Sequence, residues 1–77
     1  MMTEKIFNHL KEHKPIIVNY GKGIIKPEED VKEECYYDES IQKYRGNFGI
    51  WSNKLLREIA RGKIKGITIE INAWQLP

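Results

Sequence analysis

Cysteine is almost missing from this chain: Cys35 stands alone among 77 residues. No internal disulfide can form, so the fold must be held by packing, and a reducing cytoplasmic setting is the natural expectation. Long apolar runs are missing as well. No stretch nears the roughly 20 residues that a membrane-spanning helix needs, and the N-terminus lacks the apolar centre of a secretory signal. There are no internal repeats and no low-complexity tracts, which sets aside solenoids and long disordered tails. A large charge of one sign is absent too. The net charge is only +2, less than a protein dedicated wholly to a polyanion tends to carry.

What is present describes an ordinary globular protein, with 40% apolar and 31% charged residues. Residues 1–77 make one domain. A chain this short buries only roughly 60% of its unfolded surface, so its core is small. A large enclosed pocket is hard to build around such a core, and an enzyme is not the expectation.

The clearest local pattern lies between Trp51 and Asn72. Ser52 is a good N-cap, with apolar residues Trp51 and Leu56 spaced as a hydrophobic staple. Leu55, Leu56, Ile59 and Ala60 then share one helical face, and Lys54, Arg57, Glu58 and Arg61 the other. Gly62 suits the C′ position. After Gly66 the period changes from 3.6 to 2. Ile67, Ile69 and Ile71 alternate with Thr68, Glu70 and Asn72, as in a strand with one buried face.

Near the N-terminus, Thr3 can cap a helix that buries Ile6, Phe7 and Leu10 and ends before Pro15. Ile16–Tyr20 reads as an interior strand, because Ile17 is apolar on the face opposite Ile16 and Val18. Gly21-Lys22-Gly23 follows as a turn or bulge.

Residues 27–45 support two readings. Pro27 and the acids Glu28, Glu29 and Asp30 start a helix well, and Lys43 and Arg45 end one, which favours a helix here. The shared parity of Val31, Cys35, Tyr37 and Ile41, with a pair of tyrosines, supports a hairpin instead. The expected class is α+β, with helices packed on a short sheet containing strands near 16–20 and 67–72. The order is α-β-α-α-β, or α-β-β-β-α-β if 31–45 is a hairpin.

Candidate chemistry is sparse. His9-Leu10-Lys11-Glu12-His13 fits the inverted zinc-protease pattern, but no third ligand is placed near it. No metal and no cofactor is therefore expected. Gly21-Lys22-Gly23 lacks the rest of a phosphate-binding loop. Cys35 lies among acids, which blunts a thiolate.

Charge is more informative. Residues 1–40 carry six lysines against nine acids, and residues 41–77 carry seven basic residues against two acids. Such halves can attract each other, bind partners or self-associate. The acidic run 28–39 has a local charge of −6 and contains two tyrosines. Glu33, Glu34, Tyr36 and Tyr37, with Trp74 near the C-terminus, form the leading candidate for docking on another protein or on a second copy of the chain. The alternative is a nucleic-acid-binding module. It would use Lys54, Arg57, Arg61, Lys63 and Lys65, with Tyr44 and Arg45 near the start of that stripe.

Overall fold

The computed structural model describes residues 2–71. Two helices and five strands follow one another along it: α1 (Met2–Lys11), β1 (Ile16–Tyr20), β2 (Val31–Asp38), β3 (Lys43–Arg45), β4 (Ile50–Trp51), α2 (Asn53–Ala60) and β5 (Ile67–Glu70). All neighbouring strands are antiparallel, in the spatial order β4-β3-β2-β1-β5. The α+β class is as expected, and the order is the hairpin one with a short extra strand, β4.

The helix over 27–45 is corrected to a hairpin. β2 lies between β1 and β3 and pairs with both, Cys35 facing Ile16 on one side and Tyr36 facing Arg45 on the other. A helix there would gain a few tenths to 1 kcal/mol for each charge placed near its ends. Two complete ladders and a buried face outweigh that. The acids at the start of the segment sit instead in a turn closed by a Lys26–Glu29 bridge. The i, i+4, i+7 spacing of Tyr37, Ile41 and Tyr44 is coincidental, since the chain reverses between β2 and β3 with Gln42 at φ 55°.

Strand alternation sorts the side chains. Ile16, Val18, Tyr20, Cys35, Tyr44 and Ile69 point to the face covered by the helices. There they join Ile6 and Leu10 of α1 and Leu56 and Ile59 of α2 in one core. Tyr44 is wholly buried, and its hydroxyl donates to the Lys14 carbonyl at 2.7 Å, with the His9 carbonyl 3.3 Å away. This bond ties the hairpin to the end of α1. Ile17 points the other way, yet is only 7% exposed. Its cross-strand neighbours are Glu34 and Glu70, and Lys32 reaches across β1 to Glu70 at 3.1 Å. Stems of charged side chains can shelter an isoleucine in this way without a second layer.

Both helices stop by the same device. In α2, Gly62 at φ 78° donates to the Ile59 carbonyl and Lys63 to that of Glu58. In α1, His13 at φ 58° donates to Leu10 and Lys14 to His9. Both are Schellman closures, and a histidine stands where glycine is favoured. Its ring stacks on Tyr37, with centroids 3.6 Å apart and planes within 6°. Ser52 caps α2 as expected, its hydroxyl accepting from Leu55 N–H at 3.2 Å. Thr3 lies within the first turn of α1 and does not cap it.

Candidate functional site

The helices cover one face of the sheet and leave the other open. On the open face, β2 presents Lys32, Glu34, Tyr36 and Asp38, because Glu33, Cys35 and Tyr37 hold the opposite parity. In register beside Tyr36 come Arg45 of β3 and then Ile50 of β4. This row runs across three strands. Tyr36 and Ile50 are each 54% exposed. Phe48, in the loop between β3 and β4, is 51% exposed, and its ring meets that of Tyr20 edge-on at 6.1 Å. Lys32, Glu33, Glu34, Tyr36, Arg45 and residues 46–48 line an open cleft of about 500 Å³.

The loop that carries Phe48 is anchored from below by Glu33. This carboxylate lies on the core side of β2 and is 7% exposed. It accepts a hydrogen bond from the Tyr20 hydroxyl at 2.6 Å, one from the backbone N–H of Asn47, and one from Phe48 N–H at 3.2 Å. Buried carboxylates persist when their oxygens are satisfied in this manner. Those hydrogen bonds hold the Glu33 carboxylate in place beneath the loop. Gly46 is a packing requirement of the anchor. A Cβ there would collide with the Glu33 carboxylate and come within 2.7 Å of Cys35 Sγ.

The remaining titratable groups show the same enclosure. Burial, with the Glu33 charge second, pushes the Cys35 thiol up to about 12. Burial raises both Tyr20 and Tyr44, and Glu33 adds to the effect on Tyr20. On the open face, Glu34 accepts a hydrogen bond from the Tyr36 hydroxyl, which raises that group. Asp38 is lowered, first by the Ser40 hydroxyl and backbone N–H that it accepts from, with Arg45 also contributing at 3.3 Å. The outward positions of the five strands hold Lys32, Lys43 and Arg45 against Glu34, Asp38 and Glu70. This face is electrically balanced.

The acidic–aromatic surface read from the sequence is therefore divided. Glu34 and Tyr36 are on the open face. Glu33 is buried as a structural anchor, and Tyr37 is half-buried against His13. Trp74 lies outside the described residues. The basic set divides as well. Lys54, Arg57, Arg61, Lys63 and Lys65 are all exposed on α2 and the segment after it. Tyr44 belongs to the core and Arg45 to the open face, so neither extends the stripe. Ion pairs at Lys26–Glu29 and Arg45–Asp38 take up part of the acidic run's charge, while its one lysine, Lys32, pairs outside it with Glu70. Among the described residues none joins the acidic run to the α2 stripe.

The two histidines of the zinc-like pattern do not share a helix face. His9 is buried, with Nδ1 3.2 Å from the Lys5 carbonyl, whereas His13 is past the helix end and exposed. Among the described residues no group of three metal-binding side chains converges, and no helix is long and apolar enough to cross a membrane.

The sequence reading singled out neither Phe48 nor Ile50. The available signal was an aromatic side chain set between Asn47 and Gly49, where turn chemistry requires none. Set against protein-family models, curated proteins and solved structures, the chain matches none of them.

Proposed function

We propose that this chain is a small non-catalytic binding protein whose open sheet face docks on a partner protein. The observation that carries this reading is the Tyr36–Arg45–Ile50 row with Phe48 beside it. Three large apolar side chains stand more than half exposed around one guanidinium. Aromatic residues and arginine dominate the energetic centres of protein interfaces, and clustered apolar exposure on a small protein marks a contact site. The balanced charge of this face suits a mixed protein surface better than a polyanion. Lys32, Glu34 and Asn47 then form the polar rim. Glu33 contributes from behind, by fixing the loop that presents Phe48.

Site-specific photo-crosslinking in the cells that make the protein tests this. A crosslinking amino acid at position 36 and another at position 50 should capture the same partner, and one at Lys54 on the helical side should not. Phe48→Glu should abolish capture from position 36. Light scattering on the purified chain separates a second copy from a different protein. Identical captures from 36, 50 and 54, or none from any, would remove the reading.

A further inference from the structure

The opposite side of the molecule carries a second surface with different chemistry. Lys54, Arg57 and Arg61 occur at i, i+3 and i+7 on α2, on the side away from Leu56 and Ile59, and Lys63 and Lys65 continue the line. All five are exposed, and none makes an ion pair among the described residues. Glu58 is the one acid between Ser52 and Gly66.

The guanidinium carbons of Arg57 and Arg61 lie 6.0 and 5.1 Å from the centre of the same Phe7 ring of α1. Two like charges four residues apart on a helix repel each other. The negative face of the ring eases that repulsion and restricts both side chains. It leaves their N–H edges free. Arginines ordered in this manner lose less freedom when they bind, and their forked donors match phosphate oxygens.

We propose that this stripe binds the phosphate backbone of a nucleic acid, without sequence preference. Successive cations on α2 step along the helix axis by about 4.5 and 6 Å, and Lys63 and Lys65 prolong the row. A linear array of that kind suits a linear polyanion better than a single small anion. An anionic membrane is the poorer match. Among the described residues, the large apolar side chains that stand exposed are Ile24, Tyr36, Ile41, Phe48 and Ile50, and none of these lies on α1 or α2, whereas a helix lying on a bilayer needs an apolar face to insert.

Fluorescence anisotropy with a labelled random-sequence DNA duplex and the matching RNA single strand tests the proposal over a salt series. With five phosphate contacts on a duplex, a fourfold rise in salt should weaken binding by about 500-fold. The triple variant Lys54→Gln, Arg57→Gln, Arg61→Gln should bind more weakly at low salt and lose only about tenfold over the same rise. Because those arginines touch Phe7, the pair Lys63→Gln, Lys65→Gln serves as a second variant away from that contact, with an intermediate salt slope expected. Tyr36→Ala should leave binding unchanged. The proposal is overturned by no binding to either nucleic acid at low salt, or by an unchanged slope in the Lys63/Lys65 variant. Binding to anionic phosphatidylserine vesicles but to neither nucleic acid would overturn it as well.

Discussion

The two faces of β2 differ by a single residue of register and reverse the usual rule of hydrophobicity. Facing the helices are a carboxylate, Glu33, and a thiol, Cys35. Facing outward is Tyr36, more exposed than either. Alternation along a strand assigns sides without regard to chemistry. Each side chain then finds what its side allows. The acid inside is satisfied by a phenol and two backbone amides, whereas the aromatic outside has only its Glu34 partner and water. An acid turned inward and an aromatic ring turned outward on one strand separate what stabilises this protein from what is free to act.

The strongest way to break that comparison is to compare truncations on the two faces. Leu56→Ala should cost about 2–5 kcal/mol, since Leu56 is wholly buried between helix and sheet. Ile50→Ala, on the open face, should cost no more than about 0.5 kcal/mol. Urea denaturation of both variants checks this. Similar losses would mean that the open face is covered within the chain and is not a docking surface.

A smaller effect sharpens the comparison at its centre. Glu33→Gln keeps shape and volume but turns one acceptor into a donor facing Tyr20 or Phe48 N–H. A loss of about 1–3 kcal/mol is expected, together with faster amide exchange at Asn47 and Phe48. Unchanged exchange in that loop would show that Glu33 does not hold it.

The smallest effect is a dependence on alkaline pH. The Cys35 thiol ionises near its ordinary 9.0 in the unfolded chain and at about 12 in the folded one. Between those values the unfolded state releases a proton that the folded state keeps. This share of stability is therefore complete below about pH 9 and declines above it, by about 1.4 kcal/mol per pH unit. The raised tyrosines steepen the decline above about pH 10. Denaturant midpoints from about pH 8 to pH 10 measure it, and Cys35→Ala should flatten the first part. A wild-type midpoint that stays level across that range would show that the inner face admits water.

Much of the inner face was legible in the sequence. The cap at Ser52, the buried pair Leu56 and Ile59, the positive φ at Gly62 and the isoleucine strands all follow from patterns within about ten residues. So does the contiguous charge of the α2 stripe, which needs only helical spacing. The hairpin at 31–45 was not decided locally, because the same residues satisfy a helix by charge and a strand by parity. Two partners on either side, β1 and β3, settled it. Likewise the sequence marked Glu33 and Glu34 as equivalent acids, and Tyr36 and Tyr37 as equivalent tyrosines.

By itself, then, the sequence determined periodicity, helix ends and net charge, which depend on neighbours along the chain. The tertiary structure alone decided which alternating set of β2 faces the helices, that Phe48 and Ile50 join Tyr36 and Arg45 on one surface, and that the acidic run does not neutralise the basic stripe. Those outcomes depend on strand register and on contacts between distant segments. A shift of one residue in the β1–β2 ladder would exchange the two sets, and no local pattern records it.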